Sequence, residues 1–362
     1  MKYLILTLSL LSFFISSLLF IKEFNLAELK QELEHTGLFK DAGDAFTHEG
    51  KETLVCYRQT HRNFYILLMT MSISSLGFIY YAFVQKKQLS KKLIIINKEV
   101  LLKNKVIEEK NTEIISGINY AKHLQRAMLS NTNILKEYFS KYLIINRPKD
   151  IVSGDFYWVE KVGGYIFVAV ADCTGHGVPG AFMTILGNSL LNQIVLENNT
   201  ISTSKILSEL NKRLFQTFVT EKESEKVNDG MDISIIRFDC STKEILFSGA
   251  RRNLLVLSND NCNELKGSRQ SLGAEKNHST PFGEETLILK KGERIFLYTD
   301  GVTDQLGGEN YKKFMTKNFK ELLNLNKSLD LDQQRKIIIE TITKWKGNNI
   351  QTDDVLILGL EV

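Results

Sequence analysis

Cysteine is sparse in this sequence and carries no pattern. The four residues, Cys56, Cys173, Cys240 and Cys262, show no CxxC or other ligand spacing, which argues against a disulfide framework and a thiolate zinc site. Histidine is also scarce, with six in the chain, and this speaks against a zinc hydrolase. Three prolines leave little room for long structureless loops. The net charge of +4 is too small to argue for a nucleic-acid partner, and neither a helix-turn-helix pattern nor a basic face is present in the C-terminal part. No glycine-rich Walker motif occurs. What remains is globular composition, 43% hydrophobic and 24% charged. At 362 residues the chain has the length of two units and a connector.

Two uncharged runs stand near the N-terminus. Residues 3–21 lie between Lys2 and Lys22, and residues 64–84 between Arg62 and Lys86. Each approaches the ~20 apolar residues that cross a bilayer core, so two transmembrane helices are expected. A cleaved signal peptide is the alternative for the first run, although no small-residue cleavage pattern follows Ile21. Lys86, Lys87, Lys91 and Lys92 crowd the far side of the second run without an acid among them. By the positive-inside rule that side is cytoplasmic, which leaves 22–63 as a short extracytoplasmic segment. The expected location is therefore the inner (cytoplasmic) membrane, multi-pass, with residues 1–85 as the anchor.

From 86 to 130 there is no proline, and apolar residues recur every seven positions at Leu93, Val100, Ile107, Ile114, Ala121 and Met128. Asn97, Asn104 and Asn111, followed by Ile118, fill the companion positions. Asparagine at these positions favours a parallel register at a cost in stability. A weak parallel homodimer through a coiled-coil linker is expected, the marginal kind of packing that a small input can switch. A single helix packed on the following domain is the alternative.

Beyond residue 140 the pattern turns to short apolar or alternating segments rich in β-branched residues: 165–172, 231–239, 244–247, 254–257, 286–289, 294–298 and 355–360. Helical stretches are expected at about 178–196, 203–219 and 312–345. Strands in runs with helices inserted in blocks predict a layered α+β domain. Carboxylates fall where these strands end. Asp155 follows a Ser-Gly turn in SGDFYW, Asp172 closes the strand of VAVADCTGHG, and Asp300 follows the strand of IFLYTDG. Asp353 and Asp354 precede the last strand in QTDDVLILG. One such aspartate is ordinarily a turn residue or helix cap. Four strand ends presenting carboxylates together suggest oxygen ligation of a hard divalent cation, which retains waters and needs few protein carboxylates.

RPKDIVSGDFYW, VAVADCTGHGVPGAFMTILG, DGMDISII, SGARRNLLV, QSLG, LYTDGVTDQLGG and TDDVLIL occur in the order and spacing of the PPM-type phosphatases. The chain resembles the SpoIIE branch of that protein phosphatase 2C-like superfamily over 141–362, and INYAKHLQRAML resembles the helix preceding such domains in bacterial sensor phosphatases. The resemblance implies a layered α-β-β-α sandwich with two Mn²⁺ or Mg²⁺ ions at one end. It implies Asp155 and Asp172 as bridging ligands and catalytic residues, the Cys173 backbone carbonyl as a further ligand, and Asp300 and Asp353 on the second metal, with Asp354 a lesser candidate. It also implies hydrolysis of phosphoserine or phosphothreonine on a phosphorylated regulatory protein.

His176 is a candidate general acid, with a local turn hydrogen bond as the ordinary reading. Arg251 and Arg252 are candidates to grip a phosphate bidentately, against a solvated basic loop. Asp232 and Asp304 recur in the family motifs as secondary residues. Two other functions compete with the protein phosphatase. One is a catalytically silent membrane signalling scaffold of the same fold, and the other is a phosphatase of small molecules.

Overall fold

The computed structural model describes residues 47–128, 132–197, 201–218, 229–273 and 281–362, with a few isolated positions before residue 47. Most of the expected first span and of the segment that follows it lies outside the described residues. The chain divides into two compact units, Met1–Glu108 and Glu109–Val362.

In the first unit the second apolar run belongs to a helix, α1 (Thr47–Met128), that continues without a break into the linker sequence. Among the described residues this is the one helix long and apolar enough to cross a membrane. Its Leu93, Val100 and Ile107 are exposed.

The second unit contains the end of α1, α2 (Asn133–Tyr138), a two-stranded ribbon of β10 (Leu306–Gly307) and β11 (Lys312–Lys313), and two five-stranded antiparallel sheets. The first sheet holds β2 (Asp155–Val162), β3 (Tyr165–Cys173), β4 (Met231–Asp239), β5 (Glu244–Ala250) and β8 (Glu285–Ile288), in that order. In the second, β1 (Lys141–Arg147) pairs with β12 (Val355–Glu361), followed by β9 (Arg294–Tyr298), β6 (Leu254–Leu257) and β7 (Cys262–Leu265).

Alternation along the strands creates the layers, because successive side chains point to opposite faces. Ile166, Val168 and Val170 of β3 face the second sheet, where they meet Leu297, Leu356 and Leu358 in one core cluster. The intervening Phe167, Ala169 and Ala171 pack beneath α3 (Gly177–Asn192) and α4 (Thr203–Phe218), against residues such as Leu191, Ile206 and Leu210. On the outer face of the second sheet, Leu143, Phe296 and Ile357 meet Phe319 of α6 (Met315–Leu325) and Ile338 of α7 (Leu331–Lys346). Strands buried on both faces read as continuous apolar runs. The result is helix on sheet on sheet on helix, an α+β sandwich.

Two expectations need correction. The single helix read over 312–345 is two helices, separated by a turn at 326–330. Asp330 caps the second, accepting from the Gln333 N–H at 2.8 Å while its own N–H donates to Gln333 Oε1 at 3.3 Å. Such a capping box starts a new helix whatever precedes it. The domain also begins earlier than 141. Leu135 and Phe139 are buried in the core between the sheets, and the last turns of α1 belong to the same compact unit.

Candidate metal centre

Strand register assembles the site. Asp155, the first residue of β2, lies opposite Asp172 near the end of β3, and Asp172 lies opposite Asp232 on β4. Three neighbouring strands thus present an aspartate at the same end of one sheet. The second sheet supplies the rest. Asp300 opens the short helix α5 (Asp300–Thr303) just past β9, and Asp353 and Asp354 precede β12.

The environments of these carboxylates differ. Asp155 is buried, and its Oδ2 accepts from the Thr299 hydroxyl at 2.6 Å. Thr299 directly follows β9 of the other sheet and also ties to Leu356 of β12, its Oγ1 accepting from the Leu356 N–H at 3.0 Å. Burial and the neighbouring Asp172 raise the Asp155 pKa well above the ordinary carboxylate range. Burial likewise pushes Asp172 up to about 8, with Arg252 opposing the shift and Asp300 and Asp353 adding to it. The half-buried Asp353 is raised as well, first by burial and then by Asp300 and Asp354. Negative charge is therefore crowded here beyond what the surrounding protein offsets.

Asp354 is held differently. It is buried, and its two oxygens accept from the Lys149 and Gly154 N–H groups at 2.6 Å each. This carboxylate closes the loop that delivers Asp155. The same loop meets the turn after β3 backbone to backbone. A Cβ on Gly180 would lie 2.4 Å from the Gly175 carbonyl oxygen and 2.8 Å from the Gly154 Cα, so only glycine permits that approach.

Of the remaining candidates, the Cys173 thiol sits in the core beneath α3, its pKa raised by burial. Its N–H donates to the Gly154 carbonyl at 3.2 Å, so its own backbone runs beside the Asp155 loop. His176 Nδ1 pairs with Asp150 at 2.7 Å, both side chains about half exposed, and so links the turn after β3 to the Asp155 loop.

The two arginines separate. Arg251 is exposed, with Nε 3.8 Å from Asp232. Arg252 is largely buried, and its Nη2 contacts Asp172, Asp300 at 2.8 Å and Asp232 at 3.4 Å. Asp304 pairs with Lys313 at 2.7 Å. Sequence reading missed Thr299, which carries no motif signal beyond its place before Asp300. It also missed the depth of Arg252, which the pair of adjacent arginines conceals.

The donor set of carboxylates and a backbone carbonyl is hard oxygen chemistry, which suits Mg²⁺ or Mn²⁺. A cationic guanidinium already sits among these carboxylates, so the site accepts positive charge. Among the described residues no three acidic, histidine or cysteine side chains form a ready-made cage.

The two adjacent aspartates should respond differently to mutation. Asp354→Asn puts an amide donor against one of the two backbone N–H groups and should lower the unfolding free energy by about 2–3 kcal/mol. Asp353→Asn, half-buried, should change it by less than about 1 kcal/mol. Denaturant titration of both variants checks this.

Comparison with known proteins agrees with this geometry. Residues 162–362 match the family described as Stage II sporulation protein E (SpoIIE). The SiaA-PP2C domain of Pseudomonas aeruginosa superposes with a TM-score of 0.62 at 27% identity, covering 70% of this chain and 98% of that one. The PP2C phosphatase domain of SpoIIE from Bacillus subtilis, with a fragment of its regulatory domain, superposes at 0.50 with 16% identity, over 61% of this chain and 63% of that one. Phosphoserine phosphatase RsbU of Bacillus subtilis is 25% identical over 197 residues, 53% of this chain and 55% of that protein. The match therefore spans little more than half of that curated relative. With the two-sheet fold and the register of its aspartates, these matches establish that the chain belongs to the SpoIIE family and carries its PP2C-like phosphatase domain.

Proposed function

We propose that the chain is a metal-dependent protein phosphatase that removes phosphate from serine or threonine of a phosphorylated regulatory protein, and that a membrane-proximal helix controls it. The observation that carries this reading is the convergence of Asp155 and Asp172 from one sheet with Asp300 and Asp353 from the other. In this reading Asp155, Asp172 and the Cys173 carbonyl, together with Asp300 and Asp353, would hold two Mn²⁺ or Mg²⁺ ions. When bound, such a pair lowers the pKa of a shared water toward neutrality and offsets the charge on phosphoryl oxygens.

The protein's own part is positioning. Thr299 fixes the Asp155 carboxylate, and Asp354 fixes the loop that carries it. The His176–Asp150 pair holds that loop to the turn after Asp172, a positioning role for His176. The crowded carboxylates repel one another, and a bound cation offsets that repulsion. Hydrolysis of a phosphoserine peptide by the full chain in detergent should require Mn²⁺ or Mg²⁺. It should stop with chelator and fall at least about a hundredfold in Asp172→Asn, given the share of the barrier such groups carry. A folded protein inactive on phosphopeptides with either metal would support the silent scaffold instead.

For control, the supporting contact is the end of α1. Gln125 continues the series Asn97, Asn104, Asn111 and Ile118 by one further heptad, yet it is buried against the phosphatase domain. Its Nε2 donates to the Ser153 carbonyl at 2.7 Å and to the Thr184 hydroxyl at 2.9 Å, and its Oε1 accepts from the Ser153 N–H at 3.3 Å. Ser153 Oγ in turn accepts from the Asp155 N–H at 3.1 Å. A shift of the helix is thus passed through one residue to the bridging aspartate. The exposed stripe of Leu93, Val100 and Ile107 supports a parallel homodimer upstream. The run 64–84 supports a membrane anchor with the catalytic domain on the cytoplasmic side, under the lysine rule above. Gln125→Ala should raise the Mn²⁺ concentration for half-maximal hydrolysis several-fold, roughly what losing a buried hydrogen-bond pair implies. An unchanged metal requirement would sink control through this contact.

A further inference from the structure

The buried arginine of the site has a geometry that a solvated basic loop does not explain. Arg252 belongs to the three-residue link between β5 and β6, beside Arg251 at φ 55°. Its backbone is pinned. The Arg252 carbonyl oxygen lies 2.1 Å from where a Cβ on Gly249 would stand and 2.3 Å from one on Gly267. The side chain is 11% exposed, and one nitrogen, Nη2, serves Asp172, Asp300 and Asp232 together. Its Nε is buried without an acceptor. The guanidinium is thus strongly held by charge and poorly held by hydrogen-bond geometry, whereas an arginine built into a permanent ion pair satisfies its planar fork.

Two of the three acids that grip it, Asp172 and Asp300, are those assigned above to metal ligation. Divalent cations on these oxygens would stand within a few ångströms of the guanidinium, where like charges repel strongly in a buried site. Arginine does not relieve this by losing its proton. Either the arginine or the metal holds the carboxylates.

We infer that Arg252 is the exchangeable cation of the site: it neutralises the aspartates in the metal-free enzyme and swings out when metal binds, so that metal affinity is set by competition with this side chain. The inference rests on the metal-centre reading of the proposed function. With the backbone fixed, the exchange is a side-chain rotation and leaves the fold in place.

Two measurements on the full chain in detergent test it without substrate. In the first, Mn²⁺ binding is measured by calorimetry after chelator treatment. Arg252→Gln should bind about tenfold more tightly than the wild type, and the variant should melt lower than wild type without metal but recover on adding Mn²⁺. Equal or weaker binding by a folded Arg252→Gln overturns the exchange.

The second uses the wild-type protein, so folding of a variant is not at issue. Phenylglyoxal labelling is read by peptide mass mapping, with the exposed Arg251 as internal reference. Arg252 should be protected without metal and become several-fold more reactive once Mn²⁺ is bound. Protection that persists or deepens with Mn²⁺ bound contradicts the proposal. Asp172→Asn separates the two levels of the reading. If it abolishes Mn²⁺ binding while Arg252 stays protected in the metal-loaded wild type, the metal centre stands and the exchange falls. If wild type and Arg252→Gln both fail to bind Mn²⁺, the metal-centre reading falls, and the exchange with it.

Discussion

Crowding of negative charge at one end of the sandwich is the constraint on which the rest depends. Antiparallel register puts Asp155, Asp172 and Asp232 side by side on neighbouring strands, and the opposing sheet adds Asp300 and Asp353. Such a row of carboxylates costs free energy unless a cation or protons offset it. The surrounding structure is organised to keep the row in place despite that cost. The Thr299 hydroxyl reaches from one sheet to Asp155 on the other, and Asp354 spends both oxygens on backbone N–H groups of the adjoining loop. Arg252 sets a positive charge among them.

The loop from Lys149 to Gly154 is where these constraints meet. It is held by Asp354 beneath, by His176 through Asp150 at one side, and by Gln125 through Ser153 at the other. Close backbone contact with Gly175 and Gly180 leaves it no slack. A segment tied at so many points transmits displacement instead of absorbing it, because packed contacts have few alternative arrangements. Under the proposed function this makes the end of α1 a mechanical input to the aspartate that initiates β2.

Much of the catalytic unit was legible in the sequence. Strands buried on both faces leave apolar runs such as YIFVAVAD and MDISIIRFD, and these correspond to β3 and β4. The aspartates stood out because they fall where apolar runs begin or end. Other features left weaker traces. The edge strand β7, CNEL, is short and polar, with its side chains only partly buried, so no apolar run marks it. The break between α6 and α7 hides in a helical composition and shows only as the Asp330–Gln333 capping box. Adjacent residues with opposite fates were the hardest to separate. Arg251 and Arg252, or Asp353 and Asp354, differ in which way the backbone turns, and composition does not encode that. Gln125 was hidden within a heptad pattern whose last position packs on the domain itself.

The most direct test of the central claim is anomalous scattering at the manganese edge from crystals grown with Mn²⁺. The account predicts two peaks among these aspartates, with Asp155 and Asp172 beside both, Asp300 and Asp353 beside the second, and the Arg252 side chain turned away from them. Diffraction showing no manganese among these aspartates at saturating Mn²⁺, with Arg252 still bound to Asp172 and Asp300, would contradict it.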